Sequence, residues 1–128
     1  MNWTRQSAAS TVRRIEDGTD GWVAVGDFVD DWRRSTPEER TAMIEAEPGS
    51  STSTRRWASL VAAAVDYLAR TSDPKLDVPG WALSVDTVLD EPWFLLPGVS
   101  LRMHQLVDTP AAFKGRNIFG GDRILSRV

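Results

Sequence analysis

The chain has 128 residues, of which 41% are hydrophobic and 26% charged, with a formal net charge of −3, and this favours one folded domain over residues 1–128. It contains no cysteine, which excludes disulfides, thiolate metal sites and thiol nucleophiles. No apolar run reaches the ~18 residues of a membrane span, and the opening MNWTRQSAAS lacks the apolar segment of a signal peptide, so we expect a cytoplasmic protein that does not contact a membrane.

Two helices are predicted in the first third of the chain, over about residues 4–17 and 22–34, because apolar residues recur there at spacings of three and four. These residues are Ala8, Val12 and Ile15, then Trp22, Val25, Val29 and Trp32. Gly18 is expected to end the first helix. The segment WVAV is rich in β-branched residues, which leaves open a short extended stretch before a second helix that begins near Asp27.

Two further helices are predicted in the middle of the chain. Thr36 can cap the first of them, Pro37 suits its opening turn, and Glu39 completes a capping box. This helix is expected to run to about Ala46. A polar connection follows, and then a broad apolar stripe predicts the longest helix, over about residues 54–70. The stripe comprises Trp57, Leu60, Val61, Ala64, Val65 and Leu68, and we expect Trp22, Trp32 and Trp57 to lie in the core.

The C-terminal third is rich in proline, glycine and aromatic residues, which favours short turns and loops across the core. A helix of one or two turns is expected near residues 84–89. Ser100 is expected to cap another helix through Val107, and Thr109-Pro110 repeats the signal of a cap followed by proline. The sequence therefore predicts a mainly α fold, a single helical domain of about five to six helices with a loop-rich C-terminal third.

Charge is unevenly distributed along the chain. From Glu16 to Glu47, hereafter the acidic segment, ten acidic residues and three arginines give a net charge of −7. From Arg102 to Val128, five basic and two acidic residues give +3. The acidic segment argues against broad coating of nucleic acid and favours a basic protein partner, whereas a solvated helix surface is the alternative interpretation.

No arrangement typical of a catalytic or metal site emerges. His104 is the only histidine. Asp27 and Asp31 share one helix face, but one helix supplies too few ligands for a cation, and ion pairing with Arg34 explains the pattern better. The Gly120-Gly121-Asp122 sequence predicts a tight turn with positive φ. We therefore expect a protein that is not an enzyme and that uses no metal or cofactor.

Two segments carry aromatic and cationic side chains without a clear place in the helical pattern. Residues 93–96, WFLL, lie between two prolines, and their four large side chains either contact a partner or cover the core. In TPAAFKGRNIFGGDR we expect the aromatic residues to dock on the domain, while the polar ones either contact a partner or close the fold by pairing with the acidic segment. The residues predicted to bind a partner are Asp27, Asp31, Trp93, Phe94, Phe113, Lys114, Arg116, Asn117, Phe119 and Arg123.

Three blocks of the chain carry a family resemblance: WVAVGDFVDDWRRS, PGWALSVDTVLDEPWF and LRMHQLVDTPAAFKGRNIFGGDRIL. They resemble a group of small bacterial proteins, mainly actinobacterial, that are often encoded beside nucleotidyltransferase-fold proteins of the AbiEii or MenT type. The resemblance implies an antitoxin-like partner for such an enzyme. The positions that match the group's ending pattern are Pro110, Phe113, Lys114, Arg116, Asn117, Ile118, Phe119, Gly121, Asp122 and Arg123.

Three hypotheses about function follow. The leading one is a non-enzymatic protein-binding module that restrains a nucleotidyltransferase-type toxin. The first alternative is a DNA-binding transcriptional regulator of its own operon, in which the first two helices form a helix-turn-helix. Its phosphate contacts would be Arg102, Lys114, Arg116, Arg123 and Arg127. The second alternative is a structural or accessory protein.

Overall fold

Six α-helices, three 3₁₀ turns and one pair of short strands make up the part of the chain that the computed structural model describes, residues 5–49, 51–96, 102–121 and 124–125. The helices are α1 Ala8–Glu16, α2 Gly21–Arg33, α3 Pro37–Glu45, α4 Arg55–Thr71, α5 Arg102–Asp108 and α6 Ala111–Lys114. The 3₁₀ turns are Thr52–Thr54, Gly80–Leu83 and Val85–Thr87, and the strands are β1 Trp93–Phe94 and β2 Ile118–Phe119. The predicted mainly α fold is confirmed.

Local capping sets the bounds of α1 and α2. The Ser7 hydroxyl accepts a hydrogen bond from the backbone N–H of Ser10 at 3.0 Å, and the Ser10 hydroxyl accepts one from Ser7 N–H at 2.8 Å, so α1 begins later than predicted. The chain leaves α1 through Gly18, whose φ of 106° favours glycine. Asp20 caps α2 by accepting from Val23 N–H at 3.1 Å, so the segment WVAV is helical rather than extended.

The predicted capping box of α3 is confirmed. The Thr36 hydroxyl accepts from Glu39 N–H at 3.2 Å, and the Glu39 carboxylate accepts from Thr36 N–H at 2.8 Å. Helix α3 ends one residue before the expected Ala46. Helix α4 differs from its predicted range by one residue at each end. In these two helices, signals within a few residues were sufficient for the prediction.

Helix α4 is the centre of the core. Leu60, Val61 and Val65 are fully or almost fully buried, and α1, α6 and the turn Gly80–Leu83 pack around them. Trp32 lies in the core as predicted, whereas Trp22 and Trp57 pack against it and remain half-buried. The two half-buried rings meet edge to face with centroids 5.1 Å apart. A Cβ at Gly21 would overlap the Trp57 ring, so the start of α2 requires a residue without a side chain.

The C-terminal third differs from the prediction in three places. A single 3₁₀ turn, Val85–Thr87, takes the place of the helix of one or two turns expected near residues 84–89, and the short strands had no prediction. Thr109 does not cap α6: its hydroxyl donates to the Gln105 carbonyl at 2.5 Å and accepts from the N–H groups of Gly120 and Gly121, at 3.1 and 2.8 Å. The tertiary contact with the glycine turn thus replaces the local cap. The proposed cap at Ser100 lies outside the described residues.

Candidate interaction surface

The strands β1 and β2 bring together the two segments that the sequence singled out. They pair in parallel, with Trp93 opposite Ile118 and Phe94 opposite Phe119. Trp93 N–H donates to the Asn117 carbonyl and Leu95 N–H to the Phe119 carbonyl, both at 2.8 Å. The WFLL segment and the C-terminal segment are therefore joined to each other by backbone hydrogen bonds.

We call the paired strands β1 and β2 the ribbon. The ribbon has an inner and an outer face, because neighbouring residues of a strand point in opposite directions. Ile118 is fully buried and Trp93 packs against the core. On the other face, the half-buried rings of Phe94 and Phe119 stack with centroids 5.1 Å apart and planes inclined by 21°. We call these two rings the aromatic stack. Phe94 and Phe119 were both predicted to bind a partner, and the structure places their half-buried rings side by side.

Trp93 extends a row of half-buried tryptophans beside the ribbon. Its ring meets Trp57 edge to face at 5.2 Å, and Trp57 meets Trp22 in the same way. The guanidinium carbon of the exposed Arg56 lies 5.7 Å from the centroid of the Trp93 ring, a distance at which the cation is attracted to the ring face. The edge of the ribbon thus presents an arginine and an indole together.

Asn117 shapes the turn that leads into β2. It has a φ of 67°, a left-handed conformation that asparagine tolerates better than most residues. Its side-chain amide donates to the Leu89 carbonyl at 2.9 Å, and Leu89 N–H donates to the Arg116 carbonyl at 3.1 Å. Asn117 is a positioning residue, since it holds the turn against the segment that precedes β1.

Arg116 closes the C-terminal segment onto α4. Its side chain is 7% exposed and pairs with Asp66 at 3.0 Å, and it also donates to the carbonyls of Ala112, at 2.6 Å, and Ala82. Its Nε has no hydrogen-bond partner among the described residues. The predicted closure of the fold by this cation is therefore present, but its acceptor lies in α4 rather than in the acidic segment. A buried guanidinium has no surface to offer a phosphate.

The remaining predicted residues of this segment have different environments. Phe113 is fully buried, with its ring 6.0 Å from that of Tyr67, so its place is in the core. Lys114 is half-buried and donates to the Val107 carbonyl at 2.9 Å. Arg123 lies outside the described residues. In this fold only Lys114 of these three has described side-chain surface to offer a partner.

The predicted aspartates of α2 have different surroundings. Asp31 is buried and accepts from the backbone N–H of Gln6 and from Arg34, both at 2.8 Å, so it ties the N-terminal segment to α2. Asp27 is exposed and pairs with Arg14 at 2.9 Å. The expected ion pairing with Arg34 is confirmed for Asp31. Among the described residues, no group of three or more histidine, aspartate or glutamate side chains could hold a metal ion.

Two glutamates of the acidic segment have lowered pKa values. A hydrogen bond from the Thr54 hydroxyl to Glu16, at 2.5 Å, is the main cause of the lowered pKa of Glu16, and Ser51 adds to it. The backbone N–H of Thr36 is the main cause of the lowered pKa of Glu39, with a further contribution from Arg5 at 2.8 Å. Both shifts favour the ionised form, so these carboxylates retain their negative charge at neutral pH.

His104 lies against the predicted glycine turn. It is exposed, and its Nδ1 is 2.6 Å from the carboxylate of Asp108, one helical turn further along α5. A Cβ on Gly121 would come within 2.9 Å of the His104 Nε2, and the φ of Gly121 is 83°. The predicted positive φ is therefore confirmed at Gly121, and this left-handed backbone conformation favours glycine.

Three residues that position the ribbon were not predicted from the sequence. Gln105 is fully buried, and its side chain accepts from Leu96 N–H at 2.9 Å and donates to the Leu96 carbonyl at 3.3 Å, as a neighbouring strand would. Thr109 and Asp66 were also missed. Asp66 had a signal, because an acidic residue inside the apolar run of α4 requires a buried partner. Nothing local distinguishes Gln105.

Comparison of the chain with protein-family models, with curated proteins and with solved structures finds no match. Over the described residues, none of the helices has the length and apolar character needed to cross a membrane. The resemblance to nucleotidyltransferase-associated bacterial proteins stays a prediction.

Proposed function

We propose that this chain is a non-enzymatic, cytoplasmic protein-binding module that restrains a nucleotidyltransferase-type toxin in the manner of an antitoxin. The observation that carries protein binding is the aromatic stack of Phe94 and Phe119 on the outer face of the ribbon. The class of the partner comes from the family resemblance, with support from the charge of the acidic segment. Binding and partner class are therefore tested separately.

The aromatic stack has the chemistry of a protein contact. Aromatic residues and arginine are enriched among the residues that dominate binding energy at interfaces. Here two phenylalanine rings stack on the outer face of the ribbon, and Arg56 lies over the ring of Trp93 on the inner face. Complete burial of a large apolar side chain contributes ~1.5–3 kcal/mol of free energy. Because each of these rings is only half-buried, part of that contribution is still available when a partner covers it. A partner that covers both rings gains from each.

The acidic segment supplies a second reason to expect a partner of the proposed class. Asp27 and Glu38 are exposed or half-buried on α2 and α3, in a segment with a net charge of −7. A nucleotidyltransferase must attract phosphate groups with cationic side chains. An acidic surface is complementary to such a protein, and this complementarity accelerates association as well as orienting it.

The proposal is tested by co-expressing the full chain with the products of the genes adjacent to its own. Complex formation is measured by size-exclusion chromatography and calorimetry, and inhibition by the partner's nucleotide-transfer activity. We expect a stable complex that the double variant Phe94→Ala, Phe119→Ala weakens about tenfold or more, in line with the loss of two interface anchors.

Two controls make the test specific. Phe94→Leu keeps an apolar side chain at the ribbon and should retain more binding than Phe94→Ala, while Arg13→Ala changes an exposed side chain of α1 and should leave binding unaltered. Failure of the wild-type chain to bind any adjacent gene product at micromolar concentration would rule out the antitoxin role. If the double variant binds the partner as tightly as the wild type does, the interface does not include the aromatic stack.

A further inference from the structure

An apolar groove lies on the side of the molecule where α6 faces the turns that precede β1. It has a volume of about 450 Å³. One wall is formed by the turn residues Leu83, Val85 and Val88, and the other by Ala111, Ala112 and Gly115 of α6 and its end. The groove is open because the residues of α6 and its end that face the turns have small side chains or none.

The turn residues expose an unusual amount of apolar surface. Leu83 is 52% exposed, Val85 83% and Val88 38%, and the first and last of these are only five positions apart in the chain. Single exposed apolar side chains are ordinary, but a contiguous group beside a groove is typical of a surface that binds another protein. The three side chains form one patch because successive tight turns bring them to the same wall.

The backbone of this wall is held from beneath. Ser59 on α4 donates a hydrogen bond to the Thr87 carbonyl, and Arg55 donates to the Val88 carbonyl at 2.9 Å. Within the turns, the Thr87 hydroxyl donates to the Ser84 carbonyl at 2.7 Å. The apolar patch is thus presented by a segment anchored to the longest helix, which reduces the entropy that a ligand must remove on binding.

The floor and one end of the groove have an excess of positive charge. Asp66 is shared by two guanidinium groups, those of Arg116 and Arg70. The Arg70 side chain is 62% exposed and lines the groove, and it also lines a neighbouring cavity together with Lys75 and Asp77. The three charged side chains that line the groove, those of Asp66, Arg70 and Arg116, together carry +1, in a chain whose net charge is −3.

The exposed acid nearest to the apolar wall belongs to a different cavity. Asp86 follows Val85 directly, but it lines a polar cavity of about 280 Å³ on the other side of the turn, together with Glu47 and Arg55. The groove residues are separate from it except at Ser84 and Thr87. The apolar groove therefore keeps its positive end.

We propose that this groove binds a short segment of a partner protein in which apolar side chains flank a carboxylate. The apolar side chains cover Leu83, Val85 and Val88, and the carboxylate pairs with Arg70 at the open end. The inference rests on the proposed function, since it gives the chemistry that this binding module recognises. It adds a site whose charge is opposite to that of the acidic segment.

The test selects random twelve-residue peptides, displayed on phage, against the immobilised full chain. We expect the selected peptides to combine leucine, isoleucine or phenylalanine with aspartate or glutamate. Their affinities are then measured by fluorescence polarisation against variants of the full chain. Val85→Glu should weaken binding at least about tenfold, because it removes an apolar contact and adds a repulsive charge.

The variant Val85→Lys makes the charge argument specific. It removes the same contact at the same exposed position, but its cation attracts the peptide's carboxylate, so it should weaken binding less than Val85→Glu. Arg70→Gln should also weaken binding, and Arg13→Gln, at an exposed arginine of α1, should not. Circular dichroism of each variant confirms that the fold is retained.

Several outcomes overturn the proposal. The first is that no selected peptide binds through the groove. The second is that the selected peptides are basic and bind Val85→Glu more tightly than the wild type. The third is that the peptides bind all variants with equal affinity. Self-association that both Val85 variants abolish would assign the groove to a second copy of the chain and overturn it too. Loss of peptide binding with an intact complex of the co-expressed partner removes this inference alone, whereas failure of that complex with groove-dependent peptide binding removes the antitoxin role alone.

Discussion

The helices α1 to α4 and the C-terminal third are built on different principles. Three of the four helices in the first region begin where nearby residues dictate, as Ser7, Asp20 and Thr36 show by capping α1, α2 and α3. In the second region the deciding hydrogen bonds join residues far apart in the chain, such as Arg116 with Asp66 and Asn117 with Leu89. The aromatic stack and the groove proposed for binding both include this second region, so they depend on contacts that no short segment contains.

The largest expected effect tests the long-range contacts. Arg116→Ala leaves Asp66 buried with one exposed guanidinium as its remaining ion-pair partner among the described residues. Breaking a buried ion pair typically costs about 3–5 kcal/mol, so we expect a loss of that size in the free energy of unfolding, measured with urea. Hydrogen exchange should show protection falling first in β1, β2 and α6.

The matched control for this change is Arg70→Ala, at the exposed guanidinium on the same carboxylate. Because that side chain is 62% exposed, its removal should cost much less, on the order of 1 kcal/mol. Equal losses for the two variants, or loss of protection spread evenly over α1 to α4, would contradict the division of the molecule into locally and distantly determined regions.

An intermediate effect tests the local signals. Thr36→Ala removes the hydroxyl that caps α3, and such substitutions cost ~1 kcal/mol of stability. Thr41→Ala is the control, since that exposed hydroxyl bonds only to the Pro37 carbonyl of its own helix, and it should change the free energy of unfolding little. Combined with Arg116→Ala, the cost of Thr36→Ala should simply add. Strong coupling would show that α3 depends on the C-terminal third.

The smallest effect concerns pH and the connection between α1 and the turn before α4. Hydrogen bonds from Thr54 and Ser51 lower the pKa of Glu16 in the folded chain. Its contribution to stability is therefore fully present above the ordinary carboxyl pKa and is lost as pH falls through the lowered pKa. Wild type and Glu16→Gln should differ in urea midpoint at neutral pH and converge in acid.

Thr54→Val provides the complementary variant, because it removes the main donor and keeps the shape of a buried side chain. It should reduce the same pH-dependent part of the stability. A constant difference between wild type and Glu16→Gln at every pH would mean that the carboxylate contributes through its packing and not through its charge.

Prediction from the sequence succeeded where the physics is short-range. The capping box of Thr36 and Glu39 and the apolar stripe of α4 located two helices to within one residue at each end. It failed at Thr109, whose sequence context suits a helix cap but whose hydroxyl bonds to the glycine turn instead. The N–H groups that donate to this hydroxyl belong to Gly120 and Gly121, eleven and twelve residues further along the chain, beyond the reach of a local pattern.

The predicted contact residues show the same limit. The aromatic character of residues 93–96 and of the C-terminal segment was evident, but nothing in either segment indicated that they pair in register, which brings Phe94 onto Phe119. Arg116 and Phe113 were chosen for their chemistry, and burial directs both inward. The groove was missed because the prediction for this stretch, a short helix near residues 84–89, gave no sign that Leu83, Val85 and Val88 would line one wall.

By itself, the sequence determined that this chain is a mainly helical domain, where its first four helices lie, and that one part of it is acidic. Those properties follow from spacing, capping and composition, which act over one or two helical turns. The tertiary structure alone decided which aromatic rings meet at the surface, which cation is buried and where a groove opens. Such features depend on side chains that are distant in the chain and adjacent in space, and only the packing of the whole core around α4 selects them.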